Sequence, residues 1–213
     1  MKRFKYEHKI EIGIDEAGRG CMAGPVYAAA VIWPRDANID SSMIKDSKKI
    51  SKKKRELIVS YIEENAIAFG VGSCSAEEIA RNNILQATYK AMHRAIDKLY
   101  ESISVQNDHL LLVDGKWFKP YWGTDSLIEH ECVTKGDATY INIAAASILA
   151  KVYHDRHIKK ICEIHPEFSK LYQWDKNMCY GTATHMNAIR EHGITKFHRR
   201  TFGICSQAPL LDV

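Results

Sequence analysis

The chain has 213 residues, 46% of them hydrophobic, enough to bury the core of one large domain or of one domain with a small appendage. Thirty Lys and Arg against 26 Asp and Glu leave a formal charge of +4, too small an excess to prove nucleic-acid binding, so the placement of charge matters more than its total. No run approaches the roughly 18 apolar residues of a membrane span, and the basic start Met1-Lys2-Arg3 is not followed by an apolar signal core. The six cysteines are scattered without a Cys-x-x-Cys pair, which argues against a zinc site or disulfide framework and for reduced thiols in a cytoplasmic protein.

Residues 10–14 alternate and stop at Asp15, the pattern of a strand, and after a glycine-rich turn residues 26–33 read as a second, buried strand. Residues 45–56 carry seven basic and two acidic side chains. Ser51 is placed to cap a helix running towards Asn65, with Leu57, Ile58, Tyr61 and Ile62 on its inner face. A third strand is expected over 67–74, and Ser75-Ala76-Glu77-Glu78 has capping-box spacing. Leu85, Tyr89, Met92, Ile96 and Leu99 recur at helical spacing over 84–100. Residues 109–113 form a short apolar run ending at Asp114, and 127–133 a fifth strand candidate. Residues 140–164 give the strongest helix signal, with Ala144-Ala145-Ala146-Ser147 small enough to pack close to a sheet, and a last helix is expected over 184–192, ended by Gly193. Three strands followed by strand–helix alternation predict an α/β fold, a mixed sheet with helices on its faces.

Three acidic clusters stand at the ends of strand-like runs: Asp15-Glu16, Asp114, and Asp137 before the long helix. Hard divalent cations take oxygen ligands, Mg²⁺ commonly one or two carboxylates with substrate phosphate and water. Clustered carboxylates repel one another without a cation. The plainer readings are an Asp-Gly turn at Asp114 and a helix cap at Asp137. Asp15 and Glu16, as strand neighbours, would face opposite sides unless a turn begins at Glu16. Gly18-Arg19-Gly20 allows close backbone approach to a ligand, but a plain tight turn is the commoner use of such glycines.

Taken together, these residues coincide with motifs of a known family. Gly13-Ile14-Asp15-Glu16-Ala17-Gly18-Arg19-Gly20, Asp46-Ser47-Lys48-Lys49-Ile50-Ser51, Val113-Asp114-Gly115 and Lys135-Gly136-Asp137 occur in order. Ala144 to Val152, Glu191-His192-Gly193 and His198-Arg199-Arg200-Thr201-Phe202-Gly203 complete the series. The chain resembles ribonuclease HII, the type 2 ribonuclease H, over nearly its whole length.

The resemblance implies an RNase H-like fold: a five-stranded mixed sheet flanked by helices in a single catalytic domain over 1–213. The part from about 166 to 213 would be helical and complete the substrate groove. It implies Mg²⁺- or Mn²⁺-dependent cutting, by two ions in the catalytic complex, of RNA–DNA hybrids and 5′ to ribonucleotides embedded in duplex DNA, leaving 5′-phosphate and 3′-hydroxyl ends. Asp15, Glu16, Asp114 and Asp137 sit where the family's metal-binding acids sit. The backbone of Gly18-Arg19-Gly20 would meet the 2′-hydroxyl, the one group that separates RNA from DNA at a given site. Tyr180 matches a tyrosine that packs on the sugar after the ribonucleotide. Lys45, Lys48, Lys49, Arg199 and Arg200 would hold phosphates without reading sequence.

Two departures stand out. Where the family commonly has Lys-Gly-Tyr-Pro-Thr, this chain has Met178-Cys179-Tyr180-Gly181-Thr182, and His154 stands where arginine is usual. Lys176 is a candidate replacement for the lost charge. The tail Gln207-Ala208-Pro209-Leu210-Leu211 loosely resembles a sliding-clamp-binding peptide. Partners are therefore expected to be the nucleic-acid substrate and a sliding clamp, with no membrane and a monomeric chain. Rival readings are a DNA-directed nuclease of the same fold, against which the Gly-Arg-Gly turn argues, and a non-catalytic hybrid-binding module, against which the four intact acids argue.

Overall fold

A computed structural model describes residues 1–36, 38–44, 52–103, 108–124 and 126–211. Lys45, Lys48 and Lys49, with the Ser51 cap, lie outside the described residues.

Five strands form one sheet in the order β3-β2-β1-β4-β5. β1 (Ile10–Ala17), β2 (Val26–Ile32) and β3 (Ala68–Cys74) are an antiparallel meander, while β4 (His109–Asp114) and β5 (Glu129–Val133) run parallel to β1. The expected mixed sheet is therefore present. Alternation sorts the side chains. Ile12, Ile14, Ala28 and Ala30 face α2 (Ala76–Tyr100), whereas Ala29 and Val31 face α1 (Lys52–Asn65) and α3 (Ile141–Ile164). Burial contributes about 1.5–3 kcal/mol for each isoleucine and for Val31, and less for each alanine, which fixes the register because a one-residue slip would expose the whole set.

α3 lies unusually close to the sheet. A Cβ on Gly13 would stand 2.2 Å from the Asn142 carbonyl carbon, so this contact requires glycine in β1 as well as the alanine run of α3. α2 opens on the capping box the spacing predicts, with the Ser75 hydroxyl accepting the Glu78 N–H at 3.2 Å and the Glu78 carboxylate accepting the Ser75 N–H at 3.2 Å. It begins eight residues before the expected start and passes through a kink at Asn83 (φ 63°). On α1, Ile58, Val59 and Ile62 are buried, but Leu57 is 68% exposed, so the inner face is rotated from the one expected.

The C-terminal part is helical: α4 (Pro166–Tyr172), α5 (Trp174–Asn177) and α6 (Ala183–His192) precede a 3₁₀ turn at Gly203–Ser206. Its own apolar cluster, with Phe168, Tyr172, Trp174 and Ile189, closes on Cys21 and Ala23 after β1 and on Ile158 of α3. The tail lies down on this part, with the Leu211 N–H donating to Ile194 O at 2.6 Å. Among the described residues no helix is long and apolar enough to cross a membrane.

Candidate active site

Because β1 and β4 are parallel neighbours with Ile14 opposite Val113, their next residues, Asp15 and Asp114, come side by side at the C-terminal strand ends. Asp15, Glu16 and Asp114 line one cavity of about 310 Å³ with Arg55, Ser147, Lys151 and Tyr180. No turn begins at Glu16, since β1 runs on to Ala17, yet Glu16 lines the cavity beside Asp15. A larger cavity, about 570 Å³, lies at the opposite strand ends against Phe4, Ile10 and Trp33. It is mainly apolar, and its one carboxylate, Glu11, already accepts the N–H groups of Lys5 and Tyr6. The smaller cavity is the chemical one.

The electrostatics of the acids follow from burial. Asp15 is 6% exposed. Desolvation first, and the nearby Glu16 and Asp114 second, raise its carboxyl well above the ordinary range, against a hydrogen bond from Ser147. Burial also raises Glu16, opposed by Arg19, whose Nη1 is 3.4 Å away. Asp114 Oδ1 accepts the Gly136 N–H at 2.7 Å and the Asp137 N–H at 3.4 Å. Asp137 therefore abuts Asp114 through its backbone. It is buried in a 3₁₀ turn (Gly136–Ala138), three residues ahead of α3 rather than opening it, and does not line the cavity.

Among the described residues, no three His, Cys, Asp or Glu side chains converge into a complete metal cage. The donor set still suits a hard cation, because buried, mutually repelling carboxylates with raised pKa gain from a positive charge, and Mg²⁺ draws its other oxygens from water and phosphate.

The glycine turn follows directly on Ala17, the last β1 residue to line the cavity. Gly18 has φ +80°, and a Cβ there would meet His154 Cδ2 at 2.4 Å, so only glycine fits. Gly18 is buried, while Arg19 and Gly20 are exposed. Arg199, expected on phosphates, is instead fully buried. Its Nε donates to Gly24 O (2.9 Å), its Nη1 to Arg19 O (2.8 Å), and its Nη2 to Gly18 O (2.7 Å) and Pro25 O (3.0 Å). An arginine so engaged braces the turn and has no reach to a phosphate. Arg200 is exposed, beside Lys196 and Arg81.

Tyr180 lines the same cavity as the acids. Its backbone forms an antiparallel bridge with Cys21, just after the glycine turn, and burial raises its hydroxyl pKa. The Lys151 ammonium stands 5.0 Å over its ring and also pairs with Asp155 at 2.8 Å. The cation beside Tyr180 is thus Lys151. Met178 is buried in the C-terminal cluster, where an ammonium would be desolvated, and Lys176 is exposed on α5. Sequence reasoning assigned no role to Ser147, Lys151 or Asp155, although their i, i+4 spacing on α3 marks a polar stripe that begins in the helix's apolar first half.

Comparison with known proteins agrees with this geometry. The family model described as Ribonuclease HII matches residues 12–205. Ribonuclease HII of Cytophaga hutchinsonii is 46% identical over 199 residues, covering 93% of this chain and 92% of that protein. Among solved structures, the ribonuclease H2 of Pyrococcus horikoshii OT3 superposes with a TM-score of 0.72 at 21% identity, over 92% of this chain and 95% of that one. Bst-RNase HIII in complex with Mn²⁺ gives a TM-score of 0.72 at 19% identity, over 94% of this chain and 70% of that one. With the family model spanning nearly the whole chain and the RNase H-like sheet in place, the chain belongs to the ribonuclease HII family and is an endoribonuclease, a hydrolase.

Proposed function

We propose that the chain hydrolyses the RNA strand of RNA–DNA hybrids and nicks duplex DNA 5′ to an embedded ribonucleotide, with Mg²⁺ or Mn²⁺ held by Asp15, Glu16, Asp114 and Asp137. The observation that carries this reading is one cavity at the ends of two parallel strands, lined by three of those carboxylates and by Tyr180. Family membership and the Mn²⁺ complex of a fold relative support the divalent metal. Two such ions, when bound, would activate a water and stabilise the leaving 3′ oxygen.

The chain's own residues supply selection and orientation. Gly18 is buried with its carbonyl on Arg199, so the exposed Arg19–Gly20 segment is the part of the turn open to a 2′-hydroxyl. Tyr180, 37% exposed, offers a ring face to the sugar that follows. Lys151 places positive charge where scissile and flanking phosphates would lie. Arg200 on the C-terminal part and the basic segment containing Lys48 and Lys49 would hold the rest of the duplex, with residues 166–211 closing one wall of the groove. A sliding clamp remains a proposed partner of the tail; Leu210, 50% exposed, is its accessible apolar residue.

The test uses three duplexes with Mn²⁺ or Mg²⁺: all-DNA, DNA with one internal ribonucleotide, and an RNA–DNA hybrid. Nicking 5′ to the ribonucleotide and cutting of the hybrid are expected. Cutting of all-DNA duplex, or binding without cutting, overturns the proposal. Asp114→Asn, which keeps an oxygen for the Gly136 N–H but loses the charge, should bind substrate normally and turn over at least about a hundredfold more slowly.

A further inference from the structure

Tyr180 follows two consecutive non-glycine residues in the left-handed region, Met178 (φ 48°) and Cys179 (φ 63°). L-residues resist that conformation, and Cys179 replaces the glycine common at this place in the resembled family. Something must hold the Tyr180 backbone against the strain. Three hydrogen bonds from the C-terminal part do so in part: Tyr180 N–H to Asn177 O at 2.9 Å, Cys179 N–H to Asn177 Oδ1 at 2.9 Å, and Thr182 N–H to Tyr180 O at 2.8 Å.

A fourth contact arrives from a buried histidine pair. His185, on the first turn of α6, and His198, just before Arg199, are 0% and 1% exposed. His198 Nδ1 accepts the Thr195 N–H at 2.9 Å. His185 Nε2 accepts the Trp174 indole N–H at 3.0 Å and faces His198 Nε2 at 3.1 Å. His185 Nδ1 lies 3.0 Å from Tyr180 O. The roles of these atoms are forced from both ends. A backbone N–H can only donate, so His198 carries its proton on Nε2 and directs it at His185 Nε2, whose one lone pair it shares with the Trp174 N–H. A carbonyl can only accept, so His185 carries its proton on Nδ1 and gives it to Tyr180 O. Burial favours the neutral form of both rings, which this proton arrangement requires.

We propose that His185, oriented by His198 and Trp174, is a positioning residue that fixes the Tyr180 backbone and thereby the enzyme's preference for an RNA-to-DNA junction. The circuit closes on the other side. Arg199, next to His198, grips the Gly18 and Arg19 carbonyls, and Tyr180 pairs in an antiparallel bridge with Cys21, the residue after Gly20. The turn facing the ribonucleotide and the ring facing the next sugar are therefore braced to each other through residues that touch no substrate. This inference rests on the reading of Tyr180 as the junction-sensing side chain.

The experiment is kcat/KM for nicking at a single ribonucleotide in duplex DNA, divided by that for an RNA–DNA hybrid, in the full chain with Mn²⁺. His185→Phe removes the donor and should lower the ratio about tenfold, the effect of one well-placed hydrogen bond. His185→Asn sets an amide N–H₂ near the Nδ1 position and should keep the ratio within about threefold of the parent. Cys179→Gly removes the strain, so adding it to His185→Phe should restore the ratio. An equal loss in the glycine background overturns the strain argument. Should His185→Phe not fold, His198→Asn decides: it still accepts the Thr195 N–H but withdraws the donor from His185. A ratio unchanged in that variant overturns the brace. Tyr180→Ala separates the two readings. If it leaves the ratio intact, the sensing role falls and the brace with it. If it collapses the ratio while His185→Phe does not, the brace alone falls.

Discussion

Replacing Arg199 with lysine distinguishes a buried brace from a phosphate clamp. The guanidinium donates to four carbonyls between 2.7 and 3.0 Å that belong to the two turns following β1. A lysine ammonium has three donors at one point and cannot span carbonyls arranged around a planar fork. At least two carbonyls would lose their partner while the charge stays buried. At about 1–3 kcal/mol per abandoned buried group, the loss is roughly 2–6 kcal/mol. For a domain of this size each kcal/mol lowers Tm by about 2–4 °C, so calorimetry should show a fall of roughly 5–20 °C. The salt dependence of hybrid binding should keep its slope, because no phosphate contact has been removed. A Tm within about 2 °C of the parent, together with a log–log salt slope reduced by about one, would show that Arg199 holds a phosphate after all.

Two further outcomes follow from the same region. Gly18→Ala forces an L-residue to φ +80° and drives a methyl against the His154 ring; strain and overpacking together cost about 2–5 kcal/mol. Trimming His154 to alanine in the same chain should recover the overpacking part in a thermal melt, and no recovery would mean the ring is not the obstacle. In chelator, Asp15→Asn should stabilise the protein at pH 8 and lose that advantage as the pH falls. The folded Asp15 carboxyl is raised, so the native state holds this proton more tightly than the unfolded chain. Its contribution is favourable below the unfolded pKa and lost as pH climbs through the folded one. A Tm difference that does not vary between pH 5 and 8 would refute the burial of that charge.

Much of the scaffold was readable because it rests on short-range pattern. The β1 alternation, the Ser75–Glu78 cap and the alanine run of α3 each carry their own local cause, and strand ends are natural meeting points for Asp15 and Asp114. What escaped depends on long-range company. Nothing near Arg199 in sequence reveals that it points inward to turns about 180 residues away, and a basic pair such as Arg199-Arg200 looks like a surface. The face of α1 that is buried is set by where α3 lies, which Leu57 cannot signal. The turns of α2 ahead of Asn83 escaped because polar residues 81–83 interrupt the apolar spacing, whereas the cap at Ser75 holds those turns in place. Nothing local in sequence pairs His185 with His198, which the fold sets 3.1 Å apart.

The strand order also sets a timetable. β1 and β2 adjoin in sequence, so the strand that carries Asp15 and Glu16 meets its first partner while most of the chain is unmade. Asp114 belongs to the strand on the other flank of β1, reached only after α1, β3 and α2. At about 5–20 residues per second, synthesis separates the two aspartates by roughly 5–20 s, and the parallel pairing that unites them is slow to close for so distant a partner. The nascent half therefore carries two acids and no site. A ribosome bearing it holds no nuclease near its message until the second half has arrived and docked.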